Sequence, residues 1–304
     1  MPASRAKVII NPVAGGGSIR RHWPQIYSQL HEAGLSFDYE FTRGPGHAIE
    51  IAKQAVDTGY RYLIAAGGDG TVNEVANGIL RSTNSSNTIL GMFSTGTAGS
   101  FARSLCIARD YTSVLAERKT LSIDIGRVEC WSRSRRLQRF FVNEASVGFG
   151  AVIVNAWSRL PKLFEHSINH KLRTITGYSA LVAHRNMWIR LYVGDKFENF
   201  HGCYVVVANG QYFAGGMQIA PHARLDDGLL NLVTVGDVSK SELLRIVPTV
   251  YDGSHLGHPE IRERKVTVIK IESDERLLVE ADGEILGESP VSFSVMPSAL
   301  TVVV

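Results

Sequence analysis

Paired cysteines are missing. Cys106, Cys130 and Cys203 are three and widely spaced, which excludes a disulfide framework and a set of thiolate metal ligands. A reducing cytoplasm is the expected compartment. Long apolar runs are also missing. None approaches the ~20 residues that a membrane-spanning helix needs, and Met1 to Lys7 carries no apolar signal region. A surplus of one charge sign is missing too. The 32 Lys and Arg face 29 Asp and Glu, for a net charge of +3. That is too little to imply nucleic acid as a partner, although a pI of about 8.7 slightly favours anionic surfaces. His166, His170, His184 and His201 lack zinc spacing. No Gly-Lys-Ser/Thr closes any glycine-rich loop, which excludes a Walker loop. Internal repeats and low-complexity linkers are absent. What remains is 304 residues, 44% hydrophobic and 20% charged, sufficient for one large or two ordinary globular domains.

The densest feature is Gly67-Gly68-Asp69-Gly70-Thr71-Val72-Asn73-Glu74. An apolar run, Tyr62 to Ala66, leads into it, and a helical pattern over 72–80 follows. Strand, tight turn and helix are predicted. Glycines let a backbone approach a bulky anion, and a helix start attracts negative charge. Asp69 would repel phosphate unless it binds a metal, takes a proton or orients another group. The stretch therefore suggests nucleotide phosphates with Mg²⁺. Thr71 and Glu74 also fit a Thr-x-x-Glu capping box, a purely structural account of both.

The same plan recurs. Lys7-Val8-Ile9-Ile10 leads into Asn11-Pro12-Val13-Ala14-Gly15-Gly16-Gly17-Ser18 and a helix over 19–33. Residues 37–42 alternate as a strand ending at Thr42, and 47–58 have helical spacing. Residues 88–93 form another apolar strand before Ser94-Thr95-Gly96-Thr97-Ala98-Gly99-Ser100 and a short helix. Four β-loop-α units in about the first hundred residues predict a doubly wound parallel sheet. Right-handed crossovers place all strand C-termini on one edge, where open sheets bind ligands. The loops at Asn11, Thr42, Gly67–Thr71 and Thr97 should therefore converge.

After Leu121 the pattern changes to many short strands, at 122–129, 140–143, 189–193, 203–208, 229–235, 265–271, 276–280, 291–295 and 300–304. Few helices interrupt them, apart from an amphipathic stretch over 152–183 and a helix over 240–251. An antiparallel β-sandwich is expected. The domains divide near Gly126, as 1–125 plus 290–304 and 126–289.

These motifs resemble the catalytic domain of diacylglycerol kinases, a signature shared with sphingosine kinase-like and bacterial soluble lipid kinases. The resemblance covers nearly the whole chain. Gly67 to Val75 is similar to the family signature, Asn11-Pro12…Gly15 to its first phosphate loop, and Gly96-Thr97-Ala98 with Phe101-Ala102-Arg103 to its third. Ile123-Asp124-Ile125-Gly126 resembles the approach to the second domain, Leu225-Asp226-Asp227-Gly228-Leu229-Leu230 the metal loop, and Ala281-Asp282-Gly283-Glu284 the late acidic motif. The resemblance implies a phosphofructokinase-like α/β domain followed by a β-sandwich, with the last strands returning to the first domain or the interdomain cleft.

It also implies transfer of the ATP γ-phosphoryl to a lipid hydroxyl at a membrane surface, by a peripherally associated cytoplasmic enzyme. A homodimer is compatible with it. By analogy ATP is held by Asn11, Pro12, Val13, Ala14, Gly15, Thr42, Gly67, Gly68, Asp69, Gly70, Thr71, Val72, Asn73 and Thr97. Asp69 and Asp124 sit by the phosphates and Mg²⁺, and Glu284 is the general base, with Asp69 as its competitor. A structural Mg²⁺ falls to Asp227 and the carbonyls of Arg224 and Leu229, whereas the residues alone read equally as an Asp-Gly turn. Bacterial members often carry Asn-Asp where this chain has Gly99-Ser100, so one acid of the expected network is missing.

Arg133, Arg135, Arg136 and Arg139, with Trp131, could meet anionic headgroups or simply cap a charged hairpin. Leu160, Leu163 and Phe164, with Lys162 and Lys171, could form an interfacial helix or pack on their own domain. Two other functions compete. NAD kinases share the Gly-Gly-Asp-Gly loop, and Asn143-Glu144 is similar to their second motif. A non-catalytic lipid- or nucleotide-binding protein is the other, motivated by Ser100.

Overall fold

A computed structural model describes residues 5–93, 99–107, 110–158 and 185–304. The chain divides into two compact units, Met1–Ile125 with Pro297–Val304, and Gly126–Met296.

The first unit alternates β1 (Ala6–Ile10), α1 (Ala14–Glu32), β2 (Phe37–Phe41), α2 (His47–Asp57), β3 (Tyr62–Ala66), α3 (Asp69–Leu80) and β4 (Ile89–Phe93), followed by the short α4 (Ser100–Ser104) and α5 (Tyr111–Glu117). The strands form a parallel sheet in the order β2-β1-β3-β4. All five residues of β3 are buried, as a central parallel strand covered on both faces requires. Helix α2 buries Ala48, Ile49, Ile51, Ala52, Ala55 and Val56, the stripe that its 3.6-residue period predicts.

The second unit is antiparallel. It contains β6 (Arg135–Phe141), β7 (Glu144–Gly148), α6 (Phe149–Ser158), β8 (Met187–Val193), β9 (Lys196–Gly202), β10 (Tyr204–Ala208), the small pair β11 (Tyr212–Phe213) and β12 (Met217–Gln218), β13 (Leu230–Val235), α7 (Lys240–Thr249), β14 (Ile261–Val266), β15 (Val268–Glu272) and β16 (Leu278–Ala281). Strands β14, β13, β10, β7 and β16 neighbour one another in that order. Alternate residues of β10 feed two cores. Val205 and Val207 join Ala145, Val147, Leu232, Ile271 and Phe293; Tyr204, Val206 and Ala208 join Phe149, Val233, Leu243 and Ile246 from the α6 and α7 side. A strand with both faces buried in this way loses the polar alternation of a surface strand.

Two strands carry the chain between the units. β5 (Thr120–Ser132) runs out and pairs with β6, and β17 (Glu284–Val303) runs back. β17 pairs with β16 and β15 in the second unit. Its last residues add a parallel strand to the first unit, with Thr301 beside Ile89 and Val302 beside Leu90.

Several expected bounds shift. The strands at 291–295 and 300–304 are one twenty-residue strand. Of residues 140–143, the first two end β6 and the last two form the bend before β7. Of the amphipathic stretch 152–183, the part up to Ser158 continues α6; Leu160, Lys162, Leu163, Phe164, His166, His170, Lys171 and the rest up to 183 lie outside the described residues. So does His184.

Candidate functional site

Four strand ends meet at one edge of the first unit, and hydrogen bonds tie their loops together. Asn11, just after β1, donates its N–H to Ala66 O at 2.9 Å and its Nδ2–H to Thr71 Oγ1 at 3.2 Å. Its own Oδ1 accepts from the N–H of Val13. Pro12, Val13 and Ala14 follow on the surface side, with Val13 70% exposed. Gly15, Gly16 and Gly17 all take positive φ, at 55°, 70° and 75°. The predicted helix over 19–33 is therefore preceded by a left-handed glycine turn, which side-chain-bearing residues rarely adopt. Thr42, buried at the end of β2, donates its N–H to Ile10 O at 2.8 Å. Gly67 donates to Phe93 O at 3.0 Å. Thr97 lies outside the described residues, although the helix after its loop is described.

The capping box does not form. Helix α3 begins at Asp69, with Gly68 as its N-cap and no side-chain cap. Both acids of the stretch serve neighbouring helices instead. Glu74 accepts the N–H of Gly46 at 2.9 Å and of Ala48 at 3.1 Å, at the start of α2. Asp69 accepts the N–H of Ser100 at 2.9 Å and of Phe101 at 3.3 Å, at the start of α4. The physical reason is that the helix starts three residues earlier than the box requires, so Thr71 and Glu74 lie inside it and Glu74 is free to meet the orphan N–H groups of the adjacent helix. Val72 and Asn73, by contrast, are buried inside the unit. Asn77 Nδ2–H donates to Asn73 O and Oδ1.

Burial pushes the Asp69 carboxyl above its usual range, while the N–H groups of Ser100 and Phe101, the Ser100 hydroxyl and Arg103 pull it partly back. Ser100 thus contributes donors to that carboxylate. Asp124, on β5 and 1% exposed, accepts the N–H of Ser298 at 2.8 Å.

Gly67 has no room for a side chain. A Cβ there would stand 2.2 Å from Thr71 Oγ1 and 2.6 Å from Thr71 Cβ. We expect Gly67→Ala to cost about 1–3 kcal/mol of stability, as overpacking does. It should also disturb the Asn11–Thr71 contact, and chemical denaturation beside ATP titration checks both. An unchanged unfolding midpoint would refute the close-approach argument.

The second unit holds the remaining candidates. Glu284, at the start of β17, has its side chain 42% exposed and accepts from Arg139 Nη2 at 2.7 Å. Arg139 itself is only 12% exposed, so it does not belong to a surface basic cluster. Arg136 pairs with Glu129. Arg133 and Arg135 remain exposed at the β5–β6 turn beside Trp131, the charged hairpin that the residues alone suggested. His201 Nδ1 pairs with Asp237 at 3.1 Å.

Beside Glu284, Asp282 of the late acidic motif comes together with Glu144 and Glu280; the sequence motifs single out Asp282 and Glu144 but not Glu280 or the grouping. Asp282 accepts the N–H groups of Val142, Asn143 and Glu144 at 2.7–3.1 Å. Ser146 donates its hydroxyl to Glu280, and Glu280 also accepts from Gly283 N–H at 3.1 Å. Burial, then the facing Glu280 and Asp282, hold Glu144 well above the carboxylate range; burial holds Glu280 at about 7. The signal was a strand, 144–148, with polar residues at every second position.

Asp227 of the proposed metal loop accepts Leu229 N–H at 3.1 Å and lies 2.6 Å from Lys265 Nζ. Arg224 turns to Asp226 at 3.2 Å. A cation at this loop would have to compete with that ammonium for the Asp227 carboxylate.

With this geometry in place, comparisons with known proteins are informative. Residues 5–128 match the diacylglycerol kinase catalytic domain, and residues 145–304 match the YegS C-terminal NAD kinase beta sandwich-like domain. A diacylglycerol kinase of Staphylococcus aureus is 30% identical over 293 residues, covering 95% of this chain and 89% of that protein. One from Staphylococcus saprophyticus is 29% identical over 292 residues, covering 95% and 92%. The crystal structure of a diacylglycerol kinase from Bacillus anthracis str. Sterne superposes with a TM-score of 0.72 at 18% identity, over 100% of this chain and 97% of that one. The shared fold, the two domain matches and the whole-length relatives place this chain in the diacylglycerol kinase family, kinases that transfer phosphate to a lipid hydroxyl.

Proposed function

We propose that this chain transfers the γ-phosphoryl of ATP to the hydroxyl of a diacylglycerol-like lipid, working from the cytoplasm at a membrane surface. One observation carries the nucleotide half of this reading: the Asn11, Thr42 and Gly67–Thr71 loops are hydrogen-bonded together at the C-terminal edge of a parallel sheet. Such an edge, with a left-handed glycine turn and an open helix start, suits phosphates.

On this reading Mg²⁺ belongs at this edge. Asp69 is a half-buried acid raised above its usual range, and it stands in the first turn of α3 at the strand edge where the loops meet. Asp69, with Asp124, would hold Mg²⁺ bound to the nucleotide, and the ion would neutralise charge on the phosphates. The chain's own residues do the rest. The glycine turn and the α3 start orient the phosphates, which matters most where positioning dominates the barrier. Glu284 takes the proton of the acceptor hydroxyl as its oxygen attacks phosphorus and ADP leaves. Arg139 holds that carboxylate in place. Arg133 and Arg135, exposed and without an ion-pair partner among the described residues, support an approach to anionic lipid, worth about 1 kcal/mol per residue near such a surface.

The test is transfer of ATP γ-phosphate to a panel of lipids in mixed micelles, with NAD as a further acceptor. Wild type should phosphorylate a diacylglycerol and leave NAD unchanged. Asp69→Ala should lower the rate at least ~10²-fold, because a group that meets developing charge is lost. Phosphorylation of NAD alone would overturn the reading in favour of a nucleotide kinase, and tight ATP binding with no acceptor turned over would favour a binding protein.

A further inference from the structure

The loop ahead of β13 has two adjacent acids and a glycine, the composition of a divalent-cation site, yet its charge is balanced from within the chain. Lys265 stands on β14 directly across the ladder from Asn231, so its strand position brings the ammonium to Asp227, 2.6 Å from Oδ2. The other oxygen closes the Asp-Gly turn by accepting Leu229 N–H. Gly228 supplies the positive φ, 71°, that the turn needs.

A second grip lies two residues earlier on the same strand, hence on the same face. Glu263, its side chain 7% exposed, pairs with His222 Nδ1 at 2.5 Å and accepts from Asn231 Nδ2 at 2.7 Å. Strand β14 therefore holds the 222–229 loop at both ends. Asp226 is engaged by Arg224. Among the described residues, no group of three or more His, Cys, Asp or Glu is arranged to hold a metal.

We infer that Lys265 fills the place of a cation in this loop: its ammonium neutralises Asp227 and ties the loop to β14, so that the 224–229 loop takes no Mg²⁺ or Ca²⁺. Mg²⁺ demands near-octahedral oxygen ligands at about 2.0–2.1 Å, and an ammonium already seated on Asp227 repels a second cation there. On the kinase reading above, the divalent-ion requirement then belongs to the nucleotide end alone. The test measures metal response without turnover, so failure of the kinase reading would show in the transfer assay and leave this result standing.

Nucleotide-free wild type, Asp227→Asn and Lys265→Met are melted in millimolar MgCl₂, in millimolar CaCl₂ and in EDTA. Wild type and Asp227→Asn should respond equally to metal. Lys265→Met should melt about 2 °C lower than wild type in EDTA, the scale of a partly exposed ion pair in a protein of this size, and should recover in MgCl₂ or CaCl₂ as the vacated carboxylate accepts the ion. A saturable metal-induced rise in wild type that Asp227→Asn abolishes would overturn the inference. So would a Lys265→Met protein that melts with wild type in EDTA.

Discussion

Glu284→Gln is expected to lower kcat by about 10²–10⁴-fold, the usual contribution of a positioned base, with little change in KM for ATP or in melting temperature. The glutamine keeps the shape and a hydrogen-bond acceptor but cannot take a proton. Its side chain is 42% exposed, so little burial is lost. Arg139 supplies the control. Its guanidinium is nearly buried and reaches Glu284 Oε2 at 2.7 Å. Arg139→Lys should keep part of the rate and Arg139→Ala much less, with kcat falling more than KM rises, since a carboxylate free to change rotamer loses its aim. A Glu284→Gln enzyme with wild-type kcat would transfer the role of base to Asp69.

The second large effect concerns stability against pH. Glu144 and Glu280 are buried with Ser146 and Tyr204 on the α6 side of the second unit, with Asp282 beside them. Both carboxyls are raised, Glu280 to about 7. A carboxyl whose folded pKa exceeds its unfolded value binds its proton more tightly when folded. Its stabilising contribution is complete below the unfolded value near 4.5 and is lost as pH rises through the folded value. Between pH 5 and pH 8, unfolding free energy should therefore fall, for Glu280 on the order of 3 kcal/mol at 1.36 kcal/mol per unit. Denaturant melts across that range would measure the decline. Glu144→Gln removes one of the two acids and should flatten it. A wild type that becomes more stable from pH 5 to pH 8 would refute the raised Glu144 and Glu280 carboxyls.

The two domain classes were legible because their periods differ. Alternation of strand and helix in the first hundred residues dictates a parallel sheet, and the glycine loops mark its strand ends. The side-chain partners were not legible, because they depend on which element comes to lie beside which. Thr71 and Glu74 have capping-box spacing, yet Glu74 caps α2, an element reached through residues 46 and 48. Arg139 reads as one of four arginines, until its register opposite buried Val128 turns it to the inner face of the β5–β6 pair. Lys265 is one lysine in a charged strand, and only the ladder with β13 brings it to Asp227. The alternation of β7 marks Glu144 and Ser146 as one face, but only the pairing of β7 with β16 brings Glu280 opposite Ser146.

The final residues of β17 give the first unit an order of manufacture. β4 lends its open edge to Thr301 and Val302, and Val304 N–H bonds to Lys119 O. During synthesis the first unit emerges with that edge bare, while residues 126–296 are still to be made. At ~5–20 residues per second the wait is roughly 10–30 s. An unpaired strand edge is a template for the wrong partner. The nascent chain therefore passes through an interval in which its first unit is built but not closed, and a chaperone that shields β4 would act within that interval.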